Sequence, residues 1–316
     1  MKYGFGVDLG GTTVKIAFFD ENGNMLDKWE IPTIKDDGGA QILPDIAKAI
    51  QVYRVTHQLS ANELLGIGIG VPGPVDQNGV VHTCANLGWD VVDIPHELGK
   101  LTDLPVFAGN DATVAALGEC WKGSGSGSKN MVLVTLGTGV GGGIVCDGHV
   151  IHGVHGAGGE IGHIQLNPHE TVRCGCGRYG CVEQYCSATG IVRLANLYLG
   201  KHDTPSRLRS IENFSCKDVM DAAREGDEAA LAIMDQVYTC MGKFLSDLCC
   251  VVDPEVIVFG GGVSKAGQPL LDGVKRHFDD FAFTCFQDTR FTLAELGNDA
   301  GAYGAFKLLM DGAAKA

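Results

Sequence analysis

Positive charge is scarce in this chain. Lys and Arg number 24 against 38 Asp and Glu, a formal net charge of −14. No run rich in Lys and Arg occurs. Phosphate backbones are held by basic patches, so nucleic acid is excluded as the main partner. Long apolar runs are missing as well, and nothing reaches the ~20 residues that a membrane-crossing helix needs. The N-terminus, MKYGFGVDLGGT, moves straight into strand-like sequence. It has neither the apolar core nor the small-residue cleavage site of a secretory leader. A cytoplasmic chain with no membrane partner is the expectation. The twelve cysteines are then mostly reduced, and Cys249-Cys250, set in an apolar run, reads as core. Charged residues are 20%, too few for a disordered protein, whereas hydrophobic residues at 45% suffice for substantial cores. A length of 316 residues suggests two domains.

Hydrophobic patterning gives the outline. Tyr3 to Asp8, Val14 to Phe19 and Met25 to Ile31 read as strands joined by turns at Gly10-Gly11-Thr12-Thr13 and Asp20-Glu21-Asn22-Gly23. Ile42, Ile46, Ile50 and Tyr53 recur at helical spacing, which predicts a helix over roughly 39–59. Leu64 to Val71 is a buried strand, and Val106 to Ala108 a short one. Gly109-Asn110-Asp111 leads into a helix from Ala112 to about Trp121, and Asn or Asp there suits an N-cap. The stretch Gly123 to Ser128, alternating Gly and Ser, reads as a flexible loop and a domain boundary.

After that loop the pattern restarts. Met131 to Leu136 is a strand, Gly137-Thr138-Gly139 a turn, and Gly142 to Cys146 a strand. With Leu9-Gly10 set on Leu136-Gly137, Asp20 falls on Asp147. Both copies run strand, Gly/Thr turn, strand, acidic turn, strand, as a duplicated domain would. Further on, a long helix is predicted from Asp227 to Val252, with Leu231, Met234, Met241, Phe244 and Leu248 on its apolar face. A strand at 256–259, helices over roughly 265–278 and 298–310, and no low-complexity tail complete the outline.

Three Gly-rich turns follow strands, at Gly10, Gly137 and Gly260. Glycine lets backbone N–H groups approach phosphate oxygens closely. Residues 137–142 match G-x-G-x-x-G, but a dinucleotide fingerprint needs a helix next, and here a β-hairpin follows. No Walker A sequence is present. Asp8, at the end of the first strand, is suited to Mg²⁺, or else to an Asx turn. Lys15 is a phosphate contact or an outward strand lysine. Asp111 is the best candidate base, with a plain helix cap as the competing role. From His163 to Glu183, one imidazole and the thiols of Cys174, Cys176 and Cys181 fall in one short span. Three Cys within eight residues, among glycines, favour a tetrahedral zinc site.

These pieces resemble sugar kinases of the ROK (repressor, open reading frame, kinase) family, particularly its bacterial glucokinases. The likeness runs nearly end to end: DLGGTTVK (8–15), GVPGPVD (70–76), ANLGWD (85–90), GNDATVAALGE (109–119), LGTGVGGGI (136–144), GAGGEIGH (156–163), CGCGRYGCVEQY (174–185) and FGGGVS (259–264). The resemblance implies an α/β fold of the actin/hexokinase-like (ribonuclease H-like) type, duplicated and two-domain, with a central cleft. The small domain would be 1–121 plus 298–316, and the large one 122–297. It implies ATP-dependent phosphorylation of glucose, with another hexose or a sugar-responsive regulator as alternatives. Only seven residues precede Asp8, so no helix-turn-helix extension is expected. Gly10, Gly11 and Thr12 would line one phosphate loop, with Asp8 near Mg²⁺ and Lys15 beside it. Gly137, Thr138 and Gly139 would line a second, and Gly261 and Gly262 would lie by the adenosine. Asn86, Asn110, Asp111, Glu160, His163 and Glu183 would bind sugar hydroxyls, with Asp111 as general base. His163, Cys174, Cys176 and Cys181 would hold structural zinc. The family's first Cys usually follows its His one residue sooner than Cys174 follows His163, so His169 stays open as a rival ligand. A homodimer is the family expectation.

Overall fold

A computed structural model describes residues 1–314. Lys315 and Ala316, part of the expected small domain, lie outside the described residues. The chain forms two compact units. The first comprises Met1–Lys129, Gly143–Gly159 and the residues from Glu295 onward; the second comprises Asn130–Gly142 and Glu160–Ala294. The first unit thus includes residues 122–129, 143–159 and 295–297, which the sequence reading placed in the large domain.

The first unit is built on β1 (Tyr3–Leu9), β2 (Thr13–Asp20), β3 (Met25–Pro32), β4 (Leu64–Val71) and, beyond a short ribbon of β5 (Val80–Val81) and β6 (Val92–Asp93), β7 (Val106–Asn110). The sheet order is β3-β2-β1-β4-β7. Strands β1 to β3 form an antiparallel meander, and β4 and β7 add in parallel. The β2–β3 turn closes on Asp20, whose Oδ1 accepts the N–H groups of Asn22 and Asn24 at 2.9 Å each. Such a turn is what Asp at a strand end provides.

The second sheet repeats this wiring. It holds β8 (Met131–Leu136), β9 (Val140–Cys146), β10 (His149–Val150), β11 (Val256–Gly260) and β12 (Arg290–Leu293), in the order β10-β9-β8-β11-β12. Here β11 runs parallel to β8 and β12 parallel to β11. The two sheets therefore share one plan, which is the duplication that the Asp20/Asp147 alignment suggested.

Glycines in β1 and β4 serve close packing. The helix Ala300–Ala313 lies so near these strands that a Cβ at Gly6 would sit 2.2 Å from the Ala302 carbonyl oxygen, and one at Gly68 would sit 1.7 Å from that of Ala305. The same helix meets the helix Asp111–Lys122, where a Cβ at Gly304 would lie 1.7 Å from the Val114 carbonyl oxygen. Those distances are far inside van der Waals contact, so only glycine fits. Phe5, Val7, Ile16, Ile46, Ile67 and Ile69 fill the opposite side as a fully buried core.

Two details depart from expectation. The 123–128 stretch is not a flexible linker but a series of tight turns: Gly125 and Gly123 both donate to the Glu119 carbonyl, Ser126 to that of Gly123, and Ser128 to that of Gly125. And on the long helix Glu228–Val252, Cys249 is buried but Cys250 is exposed, as is Leu231. Leu248 and Cys249 both face the core, and the next step of about 100° turns Cys250 outward. Among the described residues, no helix is long and apolar enough to cross a membrane.

Candidate active site

In the first unit the site gathers at the ends of β1, β4 and β7. Asn110 caps the helix Asp111–Lys122: its Oδ1 accepts the Thr113 N–H at 3.0 Å, while its Nδ2 donates to the Gly73 carbonyl at 3.0 Å and to Asp111 Oδ1 at 3.1 Å. The cap role competing for Asp111 therefore falls to its neighbour. Asp111 sits in the first helical turn, its Oδ1 also accepting the Ala112 N–H at 2.8 Å. A negative charge there is favoured by the helix dipole.

The turn carrying Asn86 lies close by. It runs from Cys84 to Trp89, with Leu87 N–H donating to the Cys84 carbonyl at 3.0 Å. Burial pushes the Cys84 thiol up from its ordinary range, the Asp111 charge adds to the rise, and the Leu87 and Asn86 N–H groups oppose it. A Cβ at Gly73 would lie 3.4 Å from the Cys84 Cβ, and the Gly73 carbonyl accepts from Asn110, so Gly73 sets the Asn86 turn near the start of this helix.

Asp8 pairs across the β1–β2 hairpin with Lys15, whose Nζ stands 3.6 Å from its Oδ2 and donates to the Asn298 carbonyl at 3.2 Å. Burial raises the Asp8 carboxyl above the usual range against the pull of Lys15. A Cβ at Gly301 would come within 2.6 Å of its Cγ, so the following helix leaves space for this carboxyl alone. The Gly10–Thr12 turn is tied by Gly10 N–H to the Thr13 carbonyl and by Thr33 Oγ1 to the Gly10 carbonyl.

In the second unit everything converges on Val140. Its N–H donates to Glu183 Oε2 at 3.1 Å, and its carbonyl oxygen lies 2.0 Å from where a Gly162 Cβ would be. Gly162 is the centre of the 3₁₀ turn Ile161–His163, so its lack of a side chain lets Glu160-Ile161-Gly162-His163 lie flat on β9. The Gly137–Gly139 turn just before Val140 is braced by Ala188 N–H to the Gly137 carbonyl and Thr189 Oγ1 to the Thr138 carbonyl, both at 2.8 Å. A Cβ at Gly11, Gly137 or Gly262 meets nothing within 4 Å. Packing does not require glycine at those three turns, but close approach of a ligand to the backbone would. Gly261 differs, with φ of +85° and its Cβ position blocked by Leu136.

The metal-ligand set is assembled in the same unit. The donor atoms of His163, Cys174, Cys176 and Cys181 all lie within 4.8 Å of one another. Cys176 Sγ is 3.7 Å from Cys181 Sγ, and Cys174 Sγ is 3.8 Å from His163 Nδ1. A tetrahedron with Zn–S bonds of ~2.3 Å has edges of about 3.8 Å, which these two distances match, so the set is compatible with zinc. His169 is outside the cluster; it is exposed, its N–H donating to Asn167 Oδ1. The His163 ring has two faces: Nδ1 meets the thiols, and Nε2 stands 4.0 Å from Glu160 Oε2. Glu183 Oε1 lies 3.5 Å from Cys174 Sγ, so one carboxylate joins the cysteine cluster to the Gly137–Gly139 turn.

A network absent from the sequence reading props the loop between His163 and Cys174. Glu170 accepts from the Tyr185 hydroxyl, from Arg193 and from the Thr171 and Val172 N–H groups. Burial alone would raise its carboxyl, but the Tyr185 hydroxyl, the Val172 N–H and Arg193 outweigh it and hold it at about 2. A groove of about 850 Å³ lies elsewhere, between helices Cys216–Arg224, Glu228–Val252 and Gln268–Phe281, and no expected site residue lines it.

Two copies of one sheet plan, each ending in a Gly-rich turn, define an actin/hexokinase-like α/β fold. The model of the ROK family matches residues 4–311, and the chain belongs to that family. It is 45% identical to a glucokinase of Halalkalibacterium halodurans over 95% of this chain and 92% of that one. It is 35% identical to a glucokinase of Thermotoga maritima, over 97% and 96% of the two chains. Among solved structures it is similar to a ROK family glucokinase from Streptomyces griseus in complex with glucose and AMPPNP, with a TM-score of 0.71, 32% identity, and 97% and 98% coverage.

Proposed function

We infer that this protein transfers the γ-phosphoryl group of ATP to the 6-hydroxyl of glucose, with Asp111 as the general base. One observation carries the assignment of the base. Asn110 takes the helix cap, and Asp111 is held in the first helical turn with its Oδ1 oriented by the Asn110 Nδ2 and the Ala112 N–H. A base so fixed is suited to accept the hydroxyl proton as that oxygen attacks phosphorus in line.

The remaining roles follow from position. Asn86, Asn110, Glu160, His163 and Glu183 supply the polar groups that read sugar hydroxyls. The turns at Gly10–Thr12 and Gly137–Gly139 would receive the phosphates, with open backbone at Gly11 and Gly137, and Gly261-Gly262 would lie by the adenosine, with open backbone at Gly262. Asp8, with Lys15 beside it, would hold Mg²⁺, which neutralises phosphate charge when bound. His163, Cys174, Cys176 and Cys181 would hold a structural zinc, which fixes the loop bearing Glu183 and the His163 ring. Twelve cysteines, none joined in a disulfide among the described residues, support a reducing, cytoplasmic setting.

The test is a coupled assay with ATP over glucose, mannose, fructose, N-acetylglucosamine and N-acetylmannosamine. Glucose should show the highest kcat/KM. A tenfold preference for any other sugar would overturn the assignment of substrate.

A further inference from the structure

Glu119 is a charged residue with no exposed surface. It lies two turns along the helix whose first turn carries Asp111. Its Oε1 accepts the Leu296 N–H at 2.8 Å. Its Oε2 accepts the Glu295 N–H at 3.2 Å, the Ser124 N–H at 3.1 Å and the Ser124 hydroxyl at 3.3 Å. Four neutral donors on one buried carboxylate is an expensive arrangement, since an ion without a partner charge must recover its hydration from hydrogen bonds alone. Gly123 is shaped to it: a Cβ there would lie 2.0 Å from Oε2.

The positions of the donors matter. The first of the unit's three segments ends at Lys129 and the last begins at Glu295. Ser124 belongs to the turns that run up to Lys129, where the chain leaves the unit. Glu295 and Leu296 are the residues on which it returns for the last time. One carboxylate therefore fastens an outgoing and an incoming segment to the helix that bears the catalytic base.

We propose that Glu119 is a positioning residue for phosphoryl transfer, tying the Asp111 helix to two of the points where the chain passes between the units. This rests on the kinase reading above. Sugar contacts within the first unit do not depend on Glu119, because Asn86, Asn110 and Asp111 are held by their own hydrogen bonds. Placement of the helix that carries Asp111 does depend on how those two segments are fastened to it. In-line transfer is sensitive to sub-ångström placement.

Glu119→Gln is the direct test. It keeps the size and replaces one acceptor oxygen with an NH₂ that faces N–H donors. Leu296→Pro is the second variant; it removes the donor to Oε1 at a residue whose φ of −72° already suits proline. Steady-state kinetics, glucose Kd by calorimetry and Tm are measured for both beside the wild type. The expected result, at a temperature where all are folded, is a 10- to 100-fold lower kcat with glucose Kd within about threefold of wild type, on the scale of a misplaced reacting group. Unchanged kcat per folded molecule, or kcat and glucose affinity falling in parallel, would overturn the proposal. If the wild type fails to phosphorylate any sugar, it is the kinase reading that fails. If Glu119→Gln does not fold, Leu296→Pro decides by the same criteria.

Discussion

Glu183 Oε2 accepts the Val140 N–H at 3.1 Å, and the other oxygen of the same carboxylate lies 3.5 Å from Cys174 Sγ. The end of the Gly137–Gly139 turn and the cysteine loop are thus joined through one side chain. Glu183→Ala should weaken both substrates together. A hydrogen bond to a charged group contributes roughly 1.5–3 kcal/mol, so kcat/KM for ATP and for glucose should each fall by about one to two orders of magnitude. Initial rates over both substrates check this. A change confined to glucose would mean that Glu183 serves the sugar alone.

The zinc set makes a sharper prediction. Purified protein should hold one zinc per chain, and His163→Ala should lose it while His169→Ala keeps it. Elemental analysis of the three proteins decides. Retention in His163→Ala with loss in His169→Ala would reverse the ligand assignment. Chelation should lower Tm and glucose affinity together, since ligand loop and metal fold as one.

Gly301→Ala probes the carboxyl of Asp8. The added Cβ would fall 2.6 Å from Asp8 Cγ, so the carboxyl must turn away or the helix must shift. The Mg²⁺ concentration for half-maximal rate should rise at least severalfold, with glucose KM little changed. An unchanged Mg²⁺ dependence would remove Asp8 from the metal's surroundings.

Glu170 sets a pH dependence of stability. Its folded pKa, about 2, lies below the ordinary 4.5. A depressed carboxyl stabilises the fold above the unfolded value and loses that contribution as pH falls toward 2. Its side chain is only 8% exposed, so solvent screening is slight. Glu170→Gln should therefore lower Tm at pH 7, and the gap from wild type should narrow between about pH 4.5 and 2. A gap that stays constant across that range would assign the loss to packing rather than charge.

Much of this architecture was legible in the sequence because it rests on local chemistry. Gly/Thr turns after strands, the acidic turn at Asp20 and the clustered Cys-x-Cys spacing all act within a few residues, and the duplication shows in their order. What was not legible depends on distant partners. The helices Ala188–Lys201 and Cys216–Arg224 and the strand β12 carry no strong turn or metal signature. Ser124 reads as part of a linker and Glu119 carries no assigned role until residues 295–296, far along the chain, come back to share its carboxylate. Cys250 and Leu231 were assigned to the core by composition, whereas helical phase turns them outward. Asn110 and Asp111 are both good caps in isolation, and only the fold shows that Asn110 takes the role.

The most direct measurement compares wild type and Asp111→Asn for glucose-dependent ATP turnover, with glucose binding followed by calorimetry. The substitution keeps the shape and removes the base. Turnover should fall by about 10²–10⁴-fold, the usual contribution of general base catalysis, with glucose Kd within a few-fold of wild type. Near wild-type turnover in Asp111→Asn would contradict the assignment, leaving Asp111 as a residue of the helix start and the base to be sought elsewhere.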